Sequence, residues 1–169
     1  MGFDPNTKHK TTTTVLGPIE LGKYALLRDE KTLGTPGGTF SSGARRTRDL
    51  NTKVIDEIGI TLSSNQFTLP AGTYRIWSTA PHTRGSGTQS WIRNVTDGED
   101  AIRGTSTGAD SGATAVPNSS VCVGQFTITA SKTFELQHQI AVTSTTTGFG
   151  SNASADVEVY AVVEIIKVP

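Results

Sequence analysis

Residues 133–142 read TFELQHQIAV, and the alternation in this stretch decides the fold class. Phe134, Leu136, His138, Ile140 and Val142 fall on one side of an extended chain, and Thr133, Glu135, Gln137 and Gln139 on the other. That period of two is the mark of a strand with one face on a core and one on water. Working outward, residues 121–129 alternate again, with Cys122, Phe126 and Ile128 on one side. Residues 157–168 form the longest candidate strand and close the chain.

Towards the N-terminus the pattern repeats in shorter pieces. Residues 73–80 place Tyr74, Ile76, Ser78 and Ala80 on one face and Thr73, Arg75, Trp77 and Thr79 on the other. Pro70-Ala71-Gly72 supplies a turn before them, and residues 66–69 a strand before the turn. Residues 24–28 (YALLR) form a short apolar run, expected to be a strand buried on both faces. Strands are also expected over 45–51, 54–62, 91–96 and 102–107, and loops over 33–43, 81–89, 108–120 and 143–154. Eight to ten short strands with turns at this spacing predict an all-β antiparallel jelly-roll sandwich.

Composition agrees and excludes other classes. The 169 residues include 27 threonines, 15 serines and 18 glycines, and no helical stripe of useful length is present. Fifteen acidic and fifteen basic residues balance, so no net field steers the chain to nucleic acid or an anionic membrane. Cys122 is the one cysteine, which rules out an intramolecular disulfide. The N-terminus carries no apolar signal region, and the longest apolar run is broken by Glu158, Glu164 and Lys167. Residues 1–22, with Pro5, Pro18 and the Thr11–Thr14 run, have no core pattern. They are expected to be an extended arm ahead of a domain over 23–169.

The stretches Arg46-Thr47-Arg48-Asp49-Leu50-Asn51, Leu69-Pro70-Ala71-Gly72-Thr73-Tyr74, Asn94-Val95-Thr96-Asp97, Lys132-Thr133-Phe134-Glu135-Leu136-Gln137-His138 and Val159-Tyr160-Ala161-Val162-Val163-Glu164-Ile165 occur in that order. Together they resemble small virion structural proteins of tailed bacteriophages with a C1q/TNF-like jelly roll. The resemblance covers about residues 24–168 and implies a homotrimer of ten-stranded jelly rolls on a virion, bound to the major capsid protein or another virion component. The arm matches none of these motifs. A fibre-tip or receptor-binding module reading a bacterial surface glycan is the alternative, with Trp77 or Trp91 as a stacking platform.

Residues capable of chemistry are scattered. His9, His82, His138 and Cys122 show no zinc spacing, and His138 is in phase with a core face. Asp97-Gly98-Glu99-Asp100 is too short for a calcium loop. No nucleophile elbow or phosphate loop occurs, so neither a cofactor nor an enzymatic activity is expected. Arg45, Arg46 and Arg48 are the best candidates for nucleic-acid contact, but no stacking aromatic lies between them. An ion-pair network is the simpler reading, and neither nucleic acid nor membrane is expected as a partner.

Two binding surfaces are expected instead. On the closing strand the odd positions Val157, Val159, Ala161, Val163 and Ile165 are all apolar and should fill the core. The even positions Glu158, Tyr160, Val162, Glu164 and Ile166 are too apolar for open water and too charged for a core. A trimer interface with Tyr160 as anchor explains that mixture, and so does a covering loop of the same chain. In the arm, Phe3, Lys8, Lys10, Thr12, Thr14 and Leu16 are the residues expected to bind the capsid.

Overall fold

Among the described residues, alternating side chains in twelve strands build two antiparallel sheets that face each other across one core. The computed structural model describes residues 22–84, 86–109 and 118–169. In chain order the strands are β1 (Lys23–Lys31), β2 (Arg46–Thr47), β3 (Thr52–Asp56), β4 (Thr61–Ser63), β5 (Gln66–Leu69), β6 (Gly72–His82), β7 (Ser86–Asn94), β8 (Glu99–Arg103), β9 (Thr107–Ala109), β10 (Asn118–Ile128), β11 (Lys132–Ile140) and β12 (Glu158–Val168). One sheet has five strands in the order β10-β6-β12-β1-β3. The other has seven: β4-β5-β11-β7-β8, with β2 on β11 and β9 on β7. Ala25, Leu27, Tyr74, Ile76, Ala161, Val163 and Ile165 from the first sheet meet Phe67, Leu69, Ile92, Phe134 and Leu136 from the second. This is the two-layer sandwich that the alternation of residues 133–142 predicts. No helix occurs among the described residues, so none is long and apolar enough to cross a membrane.

Several expected strands are cut where the chain changes sheets. Of residues 45–51 only Arg46–Thr47 joins a ladder, on β11. The chain then crosses the sandwich, carrying Arg48 and Leu50 inward, and β3 starts in the opposite sheet. The expected strand over 54–62 is likewise two strands in different sheets. Between them the Asp56 carboxylate accepts the backbone N–H groups of Gly59 (2.8 Å) and Ile60 (3.0 Å), closing a turn. Gly59 lies at φ 85°, a conformation that costs glycine little.

Other boundaries move the opposite way. The loop expected over 81–89 is mostly strand, since β6 runs to His82 and β7 starts at Ser86. The loop over 108–120 gives up its ends to β9 and β10, and 110–117 lies outside the described residues. The expected strand over 102–107 divides between β8 and β9. On β1 only Ala25, Leu27 and Asp29 are buried, not both faces. Val142 lies past the end of β11 and is half exposed.

The largest correction falls on β12. Arg28 pairs with Val162 and Glu30 with Val159, so Asp29 alone faces both Tyr160 and Ala161. This β-bulge reverses the phase of the strand. Beyond it Ala161, Val163 and Ile165 fill the core as expected, but before it Val159 is 43% exposed and Val157 53%. Glu158 and Tyr160 turn inward in their place, at 4% and 5% exposure.

Candidate self-association surface

The two sheets differ sharply in their outward faces. On the seven-stranded sheet that face is a closed polar lattice. Thr68 bonds Thr133 (2.9 Å), Gln66 and Gln137 both donate to Glu135 (2.9 and 2.7 Å), and Arg45 grips Asp100 with two bonds (2.7 and 3.1 Å). The large apolar group Trp91 on this face is covered by the Arg45 guanidinium, 3.8 Å from the ring centre.

The outward face of the five-stranded sheet instead exposes large apolar side chains among its polar ones. Ladder pairing puts Val123, Trp77, Glu164, Leu26 and Ile55 in one row across β10, β6, β12, β1 and β3. Val121, Thr79, Val162 and Arg28 form the row on one side, and Gln125, Arg75, Ile166 and Tyr24 the row on the other. Val123 is 66% exposed, Ile55 44%, Trp77 42% and Ile166 39%. A groove lined by Arg75, Trp77, Val123, Gln125, Glu164 and Ile166 runs along this face. Burial and the neighbouring Glu164 carboxylate push the Tyr24 phenol above its ordinary pKa. Contiguous exposed apolar rows of this kind mark interaction sites.

The expected interface residues divide at the bulge. Val162, Glu164 and Ile166 lie on this open face. Glu158 and Tyr160 do not, because loops of their own chain cover them. The Glu158 carboxylate accepts backbone N–H groups from Gly34 (3.1 Å), Ala153 (2.8 Å) and Ser154 (2.7 Å), which hold its pKa below the usual range. The Tyr160 hydroxyl donates to Thr35 O at 2.6 Å. Trp77, Val123, Leu26, Tyr24 and Ile55 complete the surface; the sequence reading names Trp77 only as a glycan platform and misses the other four. The available signal is a tryptophan on the Thr73-Arg75-Trp77-Thr79 face, which otherwise reads as polar. The arm residues Phe3, Lys8, Lys10, Thr12, Thr14 and Leu16, and His9, lie outside the described residues.

The other candidates separate rather than converge. Arg45 and Arg93 engage Asp100, and Arg46 bonds the Ser41 and Ser42 carbonyls. Arg48 is buried between the sheets, where it donates to Pro81 O (2.8 Å) and Phe149 O (2.9 Å) and lies over the Phe149 ring. The three arginines therefore form no common basic face. Asp97 binds Lys132 (2.6 Å) and Asn94 (2.8 Å), away from the Asp100 pair. Cys122 is buried beside Ser90, and its burial raises the thiol pKa. No group of three His, Cys, Asp or Glu side chains able to hold a metal ion occurs among the described residues.

One contact looks like a nucleophile beside a base: Thr88 Oγ1 hydrogen-bonds His138 Nε2. The proton runs the wrong way for catalysis. The Thr88 hydroxyl donates to Gln139 O at 2.8 Å, so Nε2 must be the donor to Oγ1. Nδ1 is then left to accept from Arg48 Nη1, 3.4 Å away. Burial first, and then the Arg48 charge, lower the His138 pKa to about 2. An imidazole in that state cannot draw a proton from a hydroxyl.

No protein-family model matches this chain, and no curated protein does. Solved structures match its fold. Murine APRIL at pH 5.0 aligns with a TM-score of 0.56 and 10% identity, over 87% of this chain and 99% of that one. Eiger TNF from S. frugiperda aligns with a TM-score of 0.57 and 10% identity, over 89% of this chain and 94% of that one. The chain is thus an all-β, TNF-like jelly roll of two antiparallel sheets. At 10% identity the likeness concerns the fold alone.

Proposed function

We propose that this protein is a non-enzymatic structural component that works as a homotrimer, and that the trimer decorates a phage shell, tethered by residues 1–22. One observation carries the self-association reading: the outward face of the five-stranded sheet exposes a group of large apolar side chains, while that of the other sheet is polar and internally bonded. A face that exposes Trp77, Val123, Ile166 and Ile55 gains free energy when a second copy removes it from water, at about 25 cal/mol per Å2 of apolar area. The threefold count and the virion setting rest on the resemblance of the five sequence stretches to phage structural proteins. The glycan-reading alternative is less well supported. Trp91 is capped by Arg45, and Trp77 belongs to the apolar face, so neither offers a separate stacking platform.

The test is native mass spectrometry of the wild type and of Trp77→Asp. The wild type should have three times the chain mass, and the variant should remain a folded β protein at one-third of the native mass. A wild type that is monomeric at every concentration would overturn the reading. A protein trimmed to start at Lys23 should fold and assemble but no longer bind its particle, and binding as tight as that of the full chain would refute the tether.

A further inference from the structure

Glu164 is the one carboxylate in the apolar row Val123-Trp77-Glu164-Leu26-Ile55. Covering that row with a second copy would strip its water. A carboxylate stripped of water with no counter-charge in contact is strongly disfavoured. Within its own chain Glu164 has the neighbouring Tyr24 hydroxyl as a hydrogen-bond partner but no cation among the described residues, so a covering copy that brings a cation supplies the missing counter-charge. Among the described residues of the three rows the basic side chains are Arg28 and Arg75. Arg28 already has a carboxylate, Glu30, at 3.5 Å. Arg75 has no ion pair among the described residues, and its Nε donates to Gln125 Oε1 at 3.0 Å. That bond holds the guanidinium toward β10, the edge strand, and away from Glu164 on β12. The two groups are diagonal neighbours in adjacent rows, yet they make no ion pair with each other.

We infer that Arg75 of one copy pairs with Glu164 of the next when the five-stranded sheets associate. This deepens the self-association reading and rests on it. The groove between the two residues has an apolar floor of Trp77, Val123 and Ile166, with the base at one rim and the acid at the other. The base, Arg75, lies on β6 and the acid, Glu164, on β12, while Arg28 on β1 is already paired with Glu30, so the β6 side of one copy complements the β12 side of a neighbour. A contact between two different patches is heterologous, and with a suitable rotation it closes into a ring. The pair fixes register between subunits, while the apolar floor supplies the driving force.

The test is a charge exchange, read by sedimentation equilibrium over a dilution series, with circular dichroism confirming that each variant is folded. Arg75→Glu and Glu164→Arg should each raise the concentration of half-dissociation by about tenfold or more, because like charges then meet. The double variant should return it to within about threefold of the wild type, since the pair is re-formed in reverse. If either single reversal does not fold, Arg75→Gln and Glu164→Gln replace them, and the two neutral substitutions together should cost less than the sum of each alone. A wild type that assembles while the double exchange stays as weak as the worse single variant overturns the pairing and leaves self-association standing. A wild type that never assembles overturns both.

Discussion

Arg48→Ala should cost the fold about 3 kcal/mol, through two carbonyls on different segments that the guanidinium supplies with donors. It donates to Pro81 O at 2.8 Å, at the end of β6, and to Phe149 O at 2.9 Å, in the loop before β12. Each carbonyl left buried without a donor costs about 1–3 kcal/mol. Loss of the cation over the Phe149 ring, 4.3 Å from its centre, adds about 1 kcal/mol. Against this, the alanine variant no longer has to desolvate a charge with no carboxylate in contact, which returns part of the loss. For a chain of this length a net loss of about 3 kcal/mol lowers Tm by about 6–12 °C. Urea unfolding followed by tryptophan fluorescence measures it, at one fixed protomer concentration so that assembly does not enter the comparison. Arg48→Met restores the volume but no donor, and should recover less than half of the loss. A change below about 1 kcal/mol for Arg48→Ala would mean that water serves those carbonyls equally well, and the reasoning would be wrong.

Other expected outcomes follow from the same interior. His138 is neutral in the fold, with its pKa lowered to about 2, whereas the unfolded chain takes up that proton near pH 6.5. Its stabilising contribution is therefore fully present above pH 6.5 and is lost as pH falls, by about 2 kcal/mol between pH 7 and pH 5. Urea titrations at those two pH values should show the loss, and His138→Gln should flatten it; His82, lowered by burial, adds in the same direction. Gly148→Ala should destabilise by about 1–3 kcal/mol, because its Cβ would fall 2.4 Å from Ser144 O and 2.6 Å from Phe40 Cβ, with thermal melting as the readout. Tyr160→Phe removes one hydrogen bond to Thr35 O and should cost about 1 kcal/mol in urea without changing the native mass. A loss of assembly in Tyr160→Phe would return this residue to the interface.

The architecture was legible because burial dominates its strands. Phe134, Leu136, His138 and Ile140 read as one face and are one face, and so do Tyr74, Ile76, Ser78 and Ala80. What could not be read was where the chain switches sheets. Residues 45–51 and 54–62 each read as a single strand, yet this part of the chain supplies three short strands to two sheets. The corner at 48–51 is held by Arg48 through contacts more than thirty residues away in sequence. Local alternation carries no information about such partners. The same limit hid the fate of the basic cluster, since Arg45 meets Asp100 and Arg48 meets Phe149 only after folding.

The closing strand shows how a single extra residue redirects a functional assignment. Strict alternation from Glu158 to Ile166 puts Tyr160 and Glu164 on the same face, and so makes Tyr160 an interface anchor. The bulge opposite Asp29 breaks that equivalence. Upstream of it the even residues hold loops: Glu158 binds three backbone N–H groups and Tyr160 closes over Thr35. Downstream of it the even residues Val162, Glu164 and Ile166 join the apolar rows of the five-stranded sheet. Each half thereby meets a separate requirement, closing the end of the sandwich and presenting its open face. The mixture of charge and apolar groups along the even positions is thus two uniform environments joined at one bulge. Glu158 is satisfied by three backbone N–H groups of its own chain, whereas Glu164 has the Tyr24 hydroxyl and no cation among the described residues, and that difference is why only the second is expected to answer to a neighbouring copy.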